Sequence, residues 1–266
     1  MKIDHKESYK DFGEQFLKDK KIDGFFGSLQ LFKDIVHPFD LNEIKNKTIA
    51  EVGVGSGRIL KNLLHFSPKK IYGIEPSEAI NIAKTNLNSD KINFFNIKAE
   101  ELDFENEIDY IFSIGVIHHI PNYKAAIKRI YSSLKPGGKF VMWVYGKEGN
   151  ELYLFFFNNL RRVTIYLPDF ILKIISNFLA LTTYIYGFLC KYINLPLHKY
   201  FKNVFNNFSF QKKTYVIFDQ LNPSFAKYFT KFEIIELLTQ QNFKIIELQN
   251  RHGYSYTAIC KKEINK

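Results

Sequence analysis

The sequence predicts an α/β fold built around a mostly parallel β-sheet, and three observations support this prediction. Short apolar runs typical of buried strands alternate with segments whose apolar residues recur at helical spacing. A glycine-rich turn joins the first of these strands to the first of these helices. A basic stretch rich in aromatic residues interrupts the alternation at residues 151–213, so we interpret it as an insertion with a separate task.

The alternation can be followed along the chain. Strands are predicted at residues 48–53, 71–75, 92–97, 109–114 and 139–146. Helices are predicted at residues 58–66, at 77–87 with Ser77 as the cap, at 123–134 and at 230–241. Pro136 and the two glycines after it should end the third helix and open the fifth strand. Residues 243–250 and 254–262 are predicted as a terminal hairpin.

The composition is typical of one globular domain with room for an insertion. The 266 residues are 46% hydrophobic and 17% aromatic, far more apolar than a disordered chain. Cys190 and Cys260 are too few for a disulfide framework and too far apart for a CxxC site, and no metal site is predicted. The first residues lack the apolar segment of a signal peptide, so the predicted location is cytoplasmic.

The insertion at residues 151–213 carries much of the chain's net positive charge. It holds eight lysine and arginine residues, two acidic residues, and sixteen phenylalanine or tyrosine residues. Its uncharged stretch, residues 174–190, has a lysine at each end and is shorter than the roughly 20 residues that span a bilayer, so no membrane span is predicted. A buried cap helix over an acceptor pocket is the favoured interpretation. An interfacial helix in peripheral contact with a membrane is the alternative.

The segment EVGVGSGR places Gly53, Gly55 and Gly57 between a strand and a helix. Glycines there allow the backbone a positive φ and a close approach to a ligand at the positive end of a helix. Glu75 ends the next strand, where a carboxylate can accept both hydroxyls of a ribose. The glycine spacing is GxGxG rather than the GxGxxG of dinucleotide-binding turns, and Glu51 precedes the first glycine by two residues.

Five motifs stand in a consistent order: AEVGVGSGR, GIEPS, NIKAEELDF, IFSIGVIHHI and LKPGGKFVM. With them, the sequence resembles the class I S-adenosylmethionine-dependent methyltransferases, strongly over about residues 45–146 and more loosely at the terminal helix and hairpin. The resemblance implies a Rossmann-like fold of seven strands with an antiparallel C-terminal hairpin. It also implies S-adenosyl-L-methionine as the cofactor and methyl transfer as the activity.

On this resemblance, residues 1–150 hold N-terminal helices and the cofactor-binding core, 151–213 form the acceptor cap, and 214–266 complete the sheet. Glu51 and the glycine turn would face the methionine part of the cofactor, and Glu75 the ribose. Lys98 stands where many relatives have an aspartate that binds the adenine amino group. The residues implied to bind the cofactor are Glu51, Gly53, Gly55, Gly57, Glu75, Pro76, Ala99, Glu100, Ile114 and Gly115.

Methyl transfer from a sulfonium needs positioning of the acceptor more than acid or base chemistry, but a hydroxyl acceptor would benefit from a base. His118 and His119 follow the fourth strand, and only one of them can point into the pocket. His119 is the preferred candidate, while a purely structural role for the pair is the alternative. Tyr145 ends the fifth strand and can reach over the site.

Acceptor recognition is predicted outside the cofactor half. The candidates are Arg161, Arg162, His198, Asn222 and Tyr228. Related chains with a similar stretch from Asp219 onward include enzymes that tailor surface glycans, and cations would receive an anionic group. We therefore expect O-methylation of an anionic small molecule, such as a nucleotide-linked sugar or a phosphate or phosphoramidate precursor of surface polysaccharide. A tRNA or rRNA acceptor and a non-catalytic cofactor-binding subunit are the alternatives, and the oligomeric state stays open.

Overall fold

A computed structural model describes Tyr9, Gly13 and residues 27–164, 166–221 and 225–264. The strands are Thr48–Val52 (β1), Lys70–Ile74 (β2), Ile92–Phe95 (β3), Ile108–Ile114 (β4), Leu134–Tyr145 (β5), Phe243–Arg251 (β6) and Ser255–Lys262 (β7). The α-helices are Leu29–Val36 (α1), Arg58–Leu64 (α2), Ala79–Asn86 (α3), Tyr123–Ser133 (α4), Glu151–Thr164 (α5), Asp169–Leu189 (α6), His198–Asn203 (α7), Phe210–Leu221 (α8) and Lys231–Thr239 (α9). Short 3₁₀ helices cover Leu41–Ile44, Ala99–Glu101, Ile117–His119 and Phe205–Asn207.

All seven strands belong to one sheet, in the order β3-β2-β1-β4-β5-β7-β6. The five strands from β3 to β5 are parallel, and β7 runs antiparallel to both β5 and β6. This confirms the predicted fold class, a Rossmann-like sheet of seven strands with a C-terminal antiparallel hairpin. Because the order reverses at β1, the loops that follow β1 and β4 diverge and leave a crevice at the carboxyl edge of the sheet.

Alternate residues of the strands place their side chains in two hydrophobic cores, one on each face of the sheet. In β1, Ile49 belongs to the core that also contains residues of α1, α2 and the insertion, whereas Ala50 belongs to the other. Phe112 of β4 lies in the first core, with its ring centroid 6.4 Å from that of Phe32 in α1. Burying a side chain of this size contributes about 1.5–3 kcal/mol, so these contacts fix α1 over the centre of the sheet.

Two element boundaries differ from the predicted ones. The fifth strand begins at Leu134, before Pro136 rather than after the glycines, because Leu134 already pairs with Ile108 and an irregularity follows in β4. The helix expected at residue 77 begins at Ala79, with Glu78 as its N-cap. Ser77 precedes this N-cap, and its hydroxyl accepts from the Ala79 N–H at 3.3 Å while donating to the Glu75 carboxylate at 2.5 Å.

The insertion folds into helices α5 to α8, and α6 packs along α8. The buried residues of α6 are Leu172, Ser176, Ala180 and Gly187, three of which are small. A Cβ added at Gly187 would lie 2.1 Å from Asn206 Oδ1, so this face approaches its neighbours closely. α6 is long and apolar enough to cross a membrane. Only 22% of its most apolar stretch is buried inside the protein. The expected buried cap helix is therefore wrong in one respect, because large apolar residues of α6 face outward.

Gly57 is required by helix packing. It adopts φ of +93° as the N-cap of α2, and a Cβ there would lie 2.7 Å from Leu87 Cδ1. We expect Gly57→Ala to lower the free energy of unfolding by about 2–3 kcal/mol, from backbone strain plus overpacking. Equilibrium urea unfolding measures the change.

Gly253→Ala is the matched control, because Gly253 also has a positive φ of +76° but nothing lies within 4 Å of its added Cβ. It should cost about 1–2 kcal/mol, the backbone contribution alone. Equal losses for the two variants would contradict the packing role of Gly57.

His118 is wholly buried just after β4. Its ring packs on Tyr145 and His119, with centroids 4.0 and 4.2 Å away. Within the part of the chain that the structure describes, neither ring nitrogen has a hydrogen-bond partner. Burial, reinforced by His119, holds the pKa of His118 well below its usual value, so the folded protein carries it as a neutral group.

Acidification should therefore destabilise the fold through His118. An unfolded chain protonates this histidine near pH 6.5, whereas the folded protein does so only at a much lower pH. His118 thus contributes stability above about pH 6.5 that is lost as the pH falls toward the folded pKa. In His118→Phe this loss disappears, so the variant should gain about 1.4 kcal/mol relative to wild type per pH unit below about 6.5.

Urea unfolding of both proteins at about pH 7.5 and about pH 5 measures this difference. His65→Gln, at an exposed position, is the control. The same pH dependence in wild type and His118→Phe would show that His118 does not titrate as inferred.

Candidate active site

The crevice at the carboxyl edge of the sheet is the mouth of a large cavity of about 1150 Å³. One end is lined by the turn after β1, the end of β2 and the loop after β4. The other end is lined by helices α5 to α8 of the insertion. The cavity therefore joins the predicted cofactor half to the predicted acceptor cap.

Glu51, the fourth residue of β1, lies in the wall of this cavity and is almost completely buried. Its Oε2 has no hydrogen-bond partner among the described residues. Burial raises the pKa of Glu51 well above its usual value, although the positive charge of Arg58 offsets part of this rise. A buried carboxylate oxygen without a donor fits an ammonium group from a ligand, such as the amino group of a bound methionine.

The glycine turn after β1 packs closely against the loop after β4. Gly53 has φ of +84°, and a Cβ there would lie 2.2 Å from a methyl carbon of Val116. Gly53 and Gly55 line the cavity, but Gly57 does not. Gly57 was implied to face the cofactor, and the structure instead turns it toward Leu87 of the α3 end. The absence of a side chain at Gly57 allows the start of α2 to pack closely against the end of α3.

Glu75, after β2, is held rigidly at the cavity wall. Its Oε2 accepts from the backbone N–H of Gly55 at 3.0 Å, and its Oε1 accepts from both the N–H and the hydroxyl of Ser77. Burial raises the pKa of Glu75, while these hydrogen bonds oppose the rise. These three bonds use both acceptor sites of Oε1 and one of Oε2, so Oε2 keeps one site that fits a ribose hydroxyl.

The remaining implied cofactor residues also line the cavity: Pro76, Ala99, Glu100, Ile114 and Gly115. Lys98, where relatives carry an acid, is in the wall as well, with Nζ 5.3 Å from the centre of the Tyr9 ring. The chain thus brings all the implied cofactor residues except Gly57 to one end of one cavity. Their contacts with a cofactor stay a prediction.

Of the two histidines, His119 lines the cavity and His118 lies behind it. The segment after α8 fixes them both, because Lys227 N–H donates to the His118 carbonyl at 2.8 Å and His119 Nδ1 lies 3.0 Å from the Phe225 carbonyl. A carbonyl only accepts, so Nδ1 carries the proton and Nε2 is the acceptor in the neutral ring. Burial lowers the pKa of His119 to about 4, and the Phe225 contact opposes part of this shift.

Gln220, near the end of α8, joins a cluster of half-buried tyrosines in the cavity wall. Its Oε1 accepts from the hydroxyls of Tyr153 and Tyr228, at 3.0 and 2.8 Å. Its Nε2 donates to the Tyr145 hydroxyl at 2.9 Å, and the rings of Tyr145 and Tyr228 are stacked. Burial raises the pKa of all three tyrosines, so they are neutral hydrogen-bonding groups at neutral pH. Tyr145 keeps its own proton available to donate.

Arg161, Arg162 and His198, three other predicted acceptor residues, do not line the cavity. Arg161 uses Nε to donate to the backbone carbonyl of Gln220, at 3.0 Å, and so supports the tyrosine cluster. Arg162 is exposed, one position further round α5. His198 Nδ1 lies 3.0 Å from the Leu195 carbonyl, within its own turn. Asn222 falls outside the described residues. Tyr228 is the one predicted acceptor residue among those described that lines the cavity.

Sequence reasoning missed Arg58, Gln220 and Tyr153. Arg58 lines the cavity at the first position of α2, where burial lowers the pKa of its guanidinium and Glu51 opposes the shift. A cation in the first turn opposes the helix dipole, and this unfavourable placement is a signal that could have identified it. Gln220 and Tyr153 carry no such signal. In the described part of the chain, no group of three metal-ligating side chains lies close enough to hold an ion.

Residues 50–142 match the protein family described as Methyltransferase domain. A tRNA U34 carboxymethyltransferase from Campylobacter curvus is 36% identical over 105 residues, covering 36% of this chain and 34% of that protein. Phosphoethanolamine N-methyltransferase 2 from Caenorhabditis elegans is 34% identical over 110 residues, covering 40% of this chain and 25% of that protein. The matches therefore span a third or less of these curated relatives.

Solved structures share the fold over nearly the whole chain. A complex between the Haloferax volcanii Trm112 methyltransferase activator and a methyltransferase superposes with a TM-score of 0.59 at 12% identity, covering 97% of this chain and 99% of that chain. A Burkholderia thailandensis 1,6-didemethyltoxoflavin-N1-methyltransferase with bound S-adenosylhomocysteine gives 0.54 at 14% identity, covering 97% and 85%. The comparisons support the predicted enzyme class and the predicted cofactor, S-adenosyl-L-methionine. Residues 50–142 therefore match a methyltransferase domain, and the chain shares its fold with methyltransferases of solved structure.

Proposed function

We propose that this chain transfers a methyl group from S-adenosylmethionine to a small molecule that has an apolar or aromatic body and one polar reacting end. The observation that carries this proposal is the continuity of the cavity. The same space reaches from Glu51 and Gly115 at the cofactor end to Phe157 and Phe201 in the insertion. An acceptor held there would lie beside the cofactor without leaving the protein.

The chemistry of the wall favours an apolar body. Among the described residues, the basic side chains in the wall are Arg58, Lys98 and His119, and all three belong to the cofactor half. Among its described residues, the insertion (151–213) contributes aromatic and aliphatic side chains and two threonines to the wall, and no cation. An acceptor phosphate would thus lose hydration without gaining a cation from the insertion. A phosphate-bearing acceptor has a precedent in the name of one relative, a phosphoethanolamine methyltransferase, but no relative reported above is named for a sugar or a surface polysaccharide, and this wall favours neither.

The polar end of the acceptor would meet the tyrosine cluster and His119. Tyr145 offers a hydroxyl donor there, and neutral His119 offers Nε2 as an acceptor. An imidazole with a pKa of about 4 can hold an acceptor hydroxyl in line with the methyl group. It is too weak a base to keep a proton taken from that hydroxyl at neutral pH. Positioning, rather than proton storage, is therefore the role proposed for His119.

A tRNA acceptor is the second candidate. The relatives named tRNA U34 carboxymethyltransferase favour it, more than they favour a sugar. Exposed cations of the insertion, among them Arg162, Lys199 and Lys202, suit a phosphate backbone. The same domain also matches a phosphoethanolamine methyltransferase, so the acceptor differs among relatives.

Cofactor binding is tested at the two buried carboxylates. Glu75→Gln and Glu51→Gln should each weaken binding of S-adenosylhomocysteine by about 10- to 100-fold, because each removes a charge-assisted hydrogen bond worth about 1.5–3 kcal/mol. Isothermal titration calorimetry measures the affinities. Glu78→Gln is the control, because Glu78 lies in the same loop but is exposed. Unchanged affinity in both folded variants would place the cofactor elsewhere.

The acceptor class is tested by blocking the cavity. Leu179→Trp should fill space at the insertion end and raise the KM of a small acceptor about tenfold or more, with cofactor affinity unchanged. Leu181→Trp is the matched control, because Leu181 lies on the same helix but points outward.

The assay offers labelled S-adenosylmethionine with a panel of hydroxylated aromatic compounds, lipid-like alcohols and bulk tRNA. The mass added to the product identifies the transferred group. Turnover of a panel compound that Leu179→Trp impairs and Leu181→Trp does not would support the small-molecule proposal. Turnover of tRNA alone, equal in the two variants, would overturn it in favour of the second candidate.

A further inference from the structure

Helices α5 and α6 expose an unusual amount of apolar surface. On α6, the side chains of Phe170, Ile174, Phe178, Leu181, Ile185 and Phe188 are between 57 and 69% exposed. At about 100° per residue, these six positions fall within about 80° of one another on the helix. The small buried residues Ser176, Ala180 and Gly187 lie on the opposite side. The large apolar residues of this helix therefore face away from the protein, and its small residues face inward.

Helix α5 repeats this arrangement. Its exposed apolar residues are Leu152, Phe155, Phe156, Leu160 and Val163, which again recur every three or four positions. Both helices pack on α8 through their other sides. We call the two outward stripes together the α5–α6 face, because both helices pack on α8 and border the same cavity. Exposed apolar stripes of this extent mark a contact with a partner or a membrane.

Exposed cations accompany this face. Lys173 lies on α6 about 60° from the nearest residue of the stripe, and Lys191 follows directly after the C-cap of α6; both are exposed. Arg162, Lys199 and Lys202 are also exposed within the insertion, against the acidic residues Glu151 and Asp169. A second copy of the chain would bring these like charges together, which opposes self-association. An apolar face with a basic rim is instead the chemistry that an anionic lipid surface binds.

The α5–α6 face is also continuous with the cavity. Leu152, Phe156, Ile185 and Leu189 are exposed on the face and line the cavity at the same time. The cavity therefore reaches the apolar surface of these two helices.

From these observations, we propose that the α5–α6 face docks on an anionic lipid bilayer and lies in its interface, so that the cavity opens toward the membrane. The helices lie on the bilayer rather than across it, because the inner side of α6 is packed on α8. Docking does not depend on the identity of the acceptor, and its test needs neither acceptor nor cofactor.

The test is sedimentation of the full chain with vesicles of phosphatidylcholine mixed with phosphatidylglycerol, and with pure phosphatidylcholine vesicles. The triple variant Phe170→Gln, Ile174→Gln, Phe178→Gln changes outward residues that do not line the cavity. It should weaken binding to the anionic vesicles about tenfold or more, since bound area sets the affinity. Its affinity for S-adenosylhomocysteine should match that of wild type, which shows that it is folded.

The matched control is Phe232→Gln, Ile246→Gln, Ile264→Gln, which removes three exposed apolar side chains outside the insertion and should leave vesicle binding unchanged. Lys173→Gln with Lys191→Gln should weaken binding to anionic vesicles about 25-fold, at about fivefold per lysine, and leave the weak binding to neutral vesicles unchanged. Higher salt should reduce the first effect.

The proposal is overturned if wild type sediments with neither kind of vesicle, or if the apolar triple variant binds like wild type. A dimer that the triple variant dissociates, without vesicle binding, would instead assign the face to a second copy of the chain. Loss of methyl transfer with vesicle binding intact would count against the proposed function alone, so the two proposals fail separately.

Discussion

The candidate site depends on the reversal of strand order at β1, which has β2 and β3 on one side and β4 and β5 on the other. Because parallel strands end at the same edge, the turns after β1, β2 and β4 meet there, and the reversal holds them apart. The buried carboxylates Glu51 and Glu75 belong to the first two of these ends, and Gly115 belongs to the third. The cofactor end of the cavity therefore follows directly from the sheet topology.

This dependence explains how much the sequence could predict. Strand ends and glycine turns are local features, and the sequence therefore identified the sheet and nearly all the cofactor wall. The packing of Gly57 could not be predicted, because its neighbour, Leu87, lies thirty positions further along the chain. The tyrosine cluster is harder still, since Gln220 meets Tyr145 across 75 positions. No periodicity or spacing rule connects residues that are brought together only by the packing of an insertion.

The insertion shows a second limit. A helix that is apolar around most of its circumference has no clear hydrophobic side, so its pattern does not reveal which side is buried. In α6 the small residues Ser176, Ala180 and Gly187 set the orientation, because they allow a close approach that large side chains would prevent. The large residues are then left outside. Side-chain size, rather than hydropathy, therefore determines the buried side of this helix.

The same packing links the cavity to the surface around it. Because the inner side of α6 is small and closely packed, its larger residues lie elsewhere, and two of them, Ile185 and Leu189, line the cavity. These side chains are exposed, and moving them to admit an acceptor uncovers further apolar surface to water, at about 25 cal/mol per Å². An apolar phase against these side chains would remove that cost. Entry of an apolar acceptor is thus easiest where the α5–α6 face is covered.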